Sequence, residues 1–360
     1  MKKAIRRILL ALFLLGLDGL AMFVFHRRQE YFFPVYRQIS QKWMVFLSGV
    51  TSFSRIALWD IAALILLLAV IVSLIVVIVR RKGFLSWLSR VLLAMSILWF
   101  ITVYGWMLNH YAPPLAQELG FTVTEYSRQE LYDACDYYLQ KAAEYAPQAD
   151  RDADGHLVIR DFYALAESAG SAYTRLHETY PVLQGSSVRV KKLSLVGEYL
   201  MYNGIIGMFM PLTAEAGVPG SVPPAPLPYT MAHEAAHRLG IASEEEANFA
   251  AFLACVNHPD KMFLYSGYYS AFNYCFSSLY GSDPELGAEL YHKYDDREGI
   301  QLLQQDRRDT SAIYKTYESP LKEISDQIND TYLKTFSEES GIRSYGEVTD
   351  DLIAYYLALK

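Results

Sequence analysis

The residues with the clearest chemical capacity are His233-Glu234-Ala235-Ala236-His237. Side chains four apart on a helix share one face at a spacing of about 6 Å, so both imidazoles can reach a single metal ion. A glutamate beside the first ligand can take a proton from a water that the ion has acidified, while the ion polarises a scissile carbonyl. Residue types and spacing therefore predict a Zn2+ hydrolase centre, with His233 and His237 as metal ligands and Glu234 as general base. Such a centre needs a third protein ligand and one open position. Glu244, Glu245 and Glu246 follow closely. Glu244 and Asn248 are four apart, so a ligand from Glu244 and a hydrogen bond from Asn248 to a metal-bound histidine fit one helix face. Glu246 is the alternative third ligand, although it also stands at capping-box spacing from Ser243.

Several elements must position these groups. Tyr229 to Leu239 reads as a short helix stopped by a left-handed Gly240, and Ser243 as the N-cap of the next helix. Upstream, Ile205 to Thr213 is apolar with glycine and proline, which suits an edge strand. Gly207, Met208, Phe209 and Met210 could then hold an extended substrate by strand addition. Gly217 to Pro228 carries five prolines and reads as an extended loop. Tyr265, Tyr268 and Tyr269 are candidate donors to a transition-state oxyanion, with Tyr268 preferred. Glu215 suits either a substrate amine or a salt bridge. His110, His156, His177, His258 and His292 have no matching partner spacing and read as surface or core histidines.

Further helices are predicted over about 128–146, from the capping-box pair Ser127 and Glu130, and from Asp161 to Tyr180. Beyond Ser243 the chain reads as helical, with breaks at His258-Pro259, Gly281 to Pro284 and Ser319-Pro320.

Composition divides the chain of 360 residues in two. Up to Leu108 there are 13 Lys and Arg against three acids, and the remainder carries 19 basic and 36 acidic residues. The basic part holds three apolar runs, Ile8 to Phe25, Ala57 to Val79 and Val91 to Leu108, each near the roughly 20 residues that cross a bilayer. The expected architecture is membrane-anchored and predominantly α. Residues 1–108 form a membrane region with three transmembrane helices, and 109–360 form a mostly helical zincin-like domain with a small β element. The first run is long for a cleaved signal peptide and lacks a small-x-small site. Lys2 to Arg7 and Arg80 to Lys82 place the N-terminus inside, and hence residues 109–360 on the extracytoplasmic side of a multi-pass protein of the cell membrane. Arg27, Arg28, Arg37, Lys42 and Arg55 then lie outside, against that rule. Asp60 is near a helix start, where it complements the dipole, and Asp18 is a lone acid within an apolar span. Cys135, Cys255 and Cys275 lack metal-site spacing and read as buried apolar residues.

Glu244-Glu245-Glu246-Ala247-Asn248 resembles the Glu-x-x-Ala-Asp and Glu-x-Glu-Ala-Asn signatures of gluzincin metallopeptidases, including membrane-bound prenyl-protein-type proteases and the peptidases that cleave phage repressors. Only six residues separate His237 from Glu244, fewer than in those families, and the resemblance favours Glu244 as third ligand. Over most of its length the chain resembles the bacterial domain-of-unknown-function family numbered thirty-eight ten, membrane proteins with an HExxH motif. The resemblance is carried by Gly207 to Ala216, His233 to Gly240, Glu244 to Phe249, Tyr265-Ser266-Gly267-Tyr268 and Asn329-Asp330-Thr331-Tyr332-Leu333-Lys334. It implies the architecture and the metal site, and no substrate.

Two functions follow as expectations. The first is a zinc-dependent peptide-bond hydrolase acting on peptides or proteins of the cell envelope, with the lipid bilayer as its other partner. The second is a non-catalytic envelope protein with a structural or vestigial metal site. Structural zinc sites close with four protein ligands, and three are evident here, which favours an open site. The acidic outer domain argues against nucleic acid.

Overall fold

The computed structural model describes residues 1–320, 322–323, 325–327, 330–331 and 344–360. Asn329, Tyr332, Leu333 and Lys334 of the last family-like motif lie outside the described residues. The chain is predominantly helical and begins with three helices long and apolar enough to cross a membrane: α1 (Lys2–Thr51), α2 (Leu58–Arg80) and α3 (Phe84–Gly105). The first apolar run is thus only the leading half of a 50-residue helix, whose backbone departs from helical geometry at Arg28 (φ −145°, ψ 34°). Pro34 follows within two turns and removes one backbone donor. The trailing half packs against the rest of the molecule. Arg37 forms a double hydrogen bond with Glu118, and Ser48 bonds Ser186 at 2.7 Å.

The predicted helix at 128–146 appears as α4 (Arg128–Tyr145), opened by the expected capping box of Ser127 and Glu130. The expected helix Asp161–Tyr180 divides, with α5 (Phe162–Ser171) separated by a turn from a short helical piece, Leu176–Thr179. Three short strands follow, β1 (Lys191–Leu193), β2 (Met208–Met210) and β3 (Glu215–Pro219), in the order β1-β3-β2. β3 runs parallel to β1 and antiparallel to β2, with Phe209 opposite Ala216. The expected edge strand is therefore present but three residues long. The first part of the expected loop at Gly217 to Pro228 belongs instead to β3, the central and wholly buried strand. Its proline, Pro219, comes last, where a missing N–H costs the ladder least.

The remaining helices are α6 (Leu227–Arg238), α7 (Glu244–Val256), α8 (Lys261–Ser282), α9 (Pro284–His292), α10 (Glu298–Thr316) and α11 (Ser344–Ala358). Every residue of α6 is buried, because α5, α7, α8 and the sheet pack around it. A helix buried on all sides needs small residues, and Ala232, Ala235 and Ala236 supply them.

The sheet is tied to the membrane helices by two carboxylates. Glu215 accepts hydrogen bonds at 2.9 Å from the backbone N–H groups of Leu58 and Trp59, the first turn of α2, and pairs with the buried Lys191 at 2.6 Å. Asp60 accepts from the N–H groups of Ser194, Leu195 and Val196 at 2.8–3.0 Å. Glu215 is thus a buried fastener and is not open to a substrate amine.

Candidate metal centre

The metal-site geometry begins with a turn. α6 ends at Arg238, and Gly240 takes the left-handed backbone (φ 93°) that L side chains resist. The chain reverses there, returning the Ile241 carbonyl to within 2.8 Å of His237 Nδ1. That hydrogen bond fixes Nδ1 as the donor and leaves the Nε2 lone pair of His237 facing inward. Ser243 then sits at the N-cap position without a side-chain cap, and Glu244 becomes the first residue of α7. The six-residue interval that departs from the gluzincin spacing is the length of this reversal.

Three ligand atoms converge. His233 Nε2 and His237 Nε2 are 3.1 Å apart, Glu244 Oε2 is 3.1 Å from His233 Nε2, and Glu244 Oε1 is 3.7 Å from His237 Nε2. Tetrahedral ligands about 2.0–2.1 Å from zinc stand roughly 3.3 Å from one another, so this triangle fits three corners of a zinc site. Among the described residues, His233, His237 and Glu244 are the group of this kind that could hold a metal ion. Glu246 is elsewhere: its Oε1 accepts the backbone N–H of Leu115 at 2.8 Å. It does not join the cluster of His233, His237 and Glu244.

Glu234 lies beside the triangle, buried, with Oε2 lacking any hydrogen-bond partner. A buried carboxylate oxygen left unpartnered suits a site that receives a water or substrate atom. Burial pushes its carboxyl up to about 8, with the His233 charge opposing and the Glu244 charge adding. Burial pulls His237 down to about 4 against the pull of Glu244. Burial acts downward on His233 as well, but its hydrogen bond and charge interaction with Glu244 leave it raised. Glu244 resists burial and falls to about 2, chiefly through His237 and His233. Its place at a helix N-terminus favours the same charge.

Asn248 stands one turn along α7, as its spacing from Glu244 implies, and its side chain reaches His233. Tyr229 donates to the Asn248 backbone carbonyl at 2.9 Å and holds this turn in place. His233 Nδ1 and Asn248 Nδ2 are both unpartnered. Turning the amide by half a rotation brings Oδ1 to the ring N–H, which satisfies His233 and fixes its tautomer.

Gly207, the residue before β2, lies directly against Glu234. A Cβ on Gly207 would lie 2.2 Å from Glu234 Oε1 and 2.7 Å from its Cδ, so only glycine lets the strand come this close. The far edge of β2 pairs with no strand among the described residues. Phe209 turns inward, its ring 6.4 Å from His237 and 5.3 Å from Trp106.

Tyr268 is not brought to this site. It stacks flat on Tyr145 at 5.7 Å and meets Tyr137 and Phe252 in an aromatic core. Tyr265 donates to Asp306, which also binds Arg151. Tyr269 donates to Thr310. Two residues that spacing did not reveal are close instead. Trp106, just past α3, donates its indole N–H to the His237 carbonyl at 2.8 Å and stacks edge-on against the His237 ring at 6.1 Å. His110 packs edge-on to Trp106 at 5.7 Å, and its charge reaches both Glu244 and His237. No local pattern marks either residue, because they lie more than a hundred positions before the motif.

Comparison with known proteins gives one match. The family described as "Protein of unknown function (DUF3810)" matches residues 30–353. No curated protein and no solved structure matches the chain.

Proposed function

The chain belongs to the DUF3810 family, and we propose that it is a membrane-anchored, zinc-dependent peptide-bond hydrolase. The observation that carries this reading is the convergence of His233, His237 and Glu244 beside Glu234, whose Oε2 is unpartnered, near a strand whose far edge is free among the described residues. Bound zinc would supply Lewis acidity, acidifying a water and polarising the scissile carbonyl. The substrate adds to the open edge of β2 by backbone hydrogen bonds, which brings its peptide past Gly207 to Glu234. Glu234 accepts the proton of the attacking water and passes it to the leaving amine. His110, near Glu244 and His237, donates to the developing oxyanion, the role first given to Tyr268.

The three apolar helices, each long enough to cross a membrane, support a position of this domain at a bilayer. With Lys2 to Arg7 and Arg80 to Lys82 inside, α1, α2 and α3 cross in turn and the metal centre is extracytoplasmic. Sulfhydryl labelling of cysteines introduced near residue 3 and residue 309 in intact cells tests this arrangement, and modification of the first but not the second reverses it.

The deciding experiment pairs metal analysis of the full-length chain in detergent with cleavage of a peptide library by wild type, His233→Ala and Glu234→Gln. Wild type is expected to hold one zinc, His233→Ala to lose it, and Glu234→Gln to keep it while hydrolysis falls about 10²- to 10⁴-fold. Zinc-free wild type ends the proposal. Unchanged hydrolysis in Glu234→Gln removes the assigned base. In His110→Gln, zinc is expected to stay and kcat to drop, whereas an unchanged kcat excludes the oxyanion role.

A further inference from the structure

The trailing half of α1, residues 29–51, is not needed to cross a membrane, since the first apolar run ends at Phe25 and the backbone breaks at Arg28. Its faces differ. Phe33, Ser40, Met44, Ser48 and Thr51 are buried, against the end of α3 and against Ser186, Thr213, Ala214 and Ala242 of the domain beyond it. At about 100° per residue, Phe32, Val35, Ile39, Trp43, Phe46 and Val50 fall within an arc of about 80°. All six are exposed, from 37% for Trp43 to 63% for Val35. A stripe of large apolar side chains over five turns is more than a water-facing helix carries. Gln38, Gln41 and Lys42 occupy the remaining side together with Val45.

The neighbours of this helix fix its level. Ser40 donates to the carbonyl of Gly105, the last residue of α3, at 3.0 Å, and a Cβ on Gly105 would meet the Trp43 indole at 3.1 Å. At its other end Thr51 lies seven residues before Leu58, where α2 begins. The helix therefore joins the outer ends of two membrane helices, and its apolar stripe continues their lipid-facing surface. We propose that residues 29–51 form an interfacial helix in the outer leaflet, with the stripe from Phe32 to Val50 among the acyl chains, and that the metal site consequently acts on polypeptides held by the same membrane.

The substrate part of this inference rests on the hydrolase reading above. The site is close to the proposed lipid surface. Gln41 donates to the carbonyl of Leu239, two residues after His237, and Trp106, which follows α3 directly, bonds the His237 carbonyl. One helix diameter, about 10–12 Å, thus separates His237 from lipid. An extended chain covers that distance in roughly three to four residues at about 3.4 Å each. The bond cut is accordingly a juxtamembrane one, a few residues outside the bilayer. Lys42 on this helix, and Arg27, Arg28 and Arg55 at its flanks, which do not follow the inside-positive pattern, gain a partner in anionic headgroups.

The position is tested without catalysis. Single cysteines replacing Val35, Ile39 and Phe46 are spin-labelled in the full chain, in nanodiscs of phosphatidylcholine and phosphatidylglycerol; the native cysteines are buried. Collisions with oxygen exceeding those with a water-soluble nickel chelate are expected. The reverse order, or shielding from both by a second copy or another protein, overturns the interfacial helix. The substrate class is tested separately with one cleavable peptide, either free or joined to a lipid through a spacer of about four or about 30 residues. The short-spacer form is expected to be cleaved at least about tenfold faster than the others. Equal rates overturn the juxtamembrane inference and leave the hydrolase reading intact. Absence of all hydrolysis overturns the hydrolase reading and its substrate together, while the labelling result stands by itself.

Discussion

Glu234 and His237 are neighbours on α6 whose protons respond to burial in opposite senses. In the metal-free protein Glu234 keeps its proton to about pH 8, whereas an unfolded chain releases it near 4.5. His237 stays neutral down to about pH 4, whereas an unfolded chain protonates below 6.5. Between pH 4.5 and 6.5 these effects on stability oppose each other. From pH 6.5 to 8 the Glu234 effect is joined by the raised His233, so the folded state binds more protons than the unfolded one and stability falls as pH rises. The slope from Glu234 reaches at most about 1.4 kcal/mol per pH unit. Melting temperatures of the metal-free protein should therefore decline over this window. Glu234→Gln should flatten most of the decline, and saturating zinc should abolish it. Gly207 gives a second prediction at this scale. Gly207→Ala drives a methyl into the Glu234 carboxylate and is expected to lower hydrolysis by about 10²-fold with zinc content unchanged. Loss of zinc in that variant would mean that the strand supports the ligands rather than the base.

At the level of elements, the centre is a helix, a left-handed reversal and the first turn of a second helix. The helices were legible because amphipathic spacing and capping residues are local signals. The strand β3 was not, since Glu215 to Pro219 mixes small residues with a proline and is buried on both faces, so no alternation marks it. The preference for Glu244 over Glu246 came from its spacing to Asn248 and from resemblance, whereas both lie in the first turn of α7 and the turn geometry decides which points at His233. Two substitutions probe how the elements hold the ligands. Asn248→Ala should weaken zinc binding by about 10- to 100-fold through loss of the hydrogen bond that orients His233; competition with a zinc chelator measures it, and unchanged affinity would remove Asn248 from the site. Trp106→Phe removes the indole donor from the buried His237 carbonyl, which keeps the Gly240 N–H at 3.0 Å, and should reduce stability by about 0.5–1.5 kcal/mol, read from the melting temperature.

Across the whole molecule, the three long apolar helices and the helical body that follows them form a continuous structure. Glu215 caps α2 while neutralising Lys191, whose ammonium burial would otherwise lower further, and Asp60 returns the favour to the segment after β1. Removing one partner of a buried ion pair strands the other, so Glu215→Ala should cost about 3–5 kcal/mol and expose the sheet to limited proteolysis. A variant that melts like wild type would show that the fastener is dispensable. The same continuity explains why the trailing half of α1, which bonds Ser186 and Thr213 through Ser48 and Thr51, belongs with the helical body although it is covalently part of α1.

By itself the sequence determined the three apolar helices, the predominantly helical body, the His233-Glu234-His237 triplet and the helix ends around it. Each of these depends on interactions within a few residues, and periodicity, caps and breakers record such interactions directly. Only the tertiary structure placed Gly207 over Glu234, brought Trp106 and His110 to the metal helix, removed Tyr268 to an aromatic core and bent α1 at Arg28. Those features arise from segments far apart in the chain packing at van der Waals distance, and close packing between distant segments leaves no repeat in the sequence of either one.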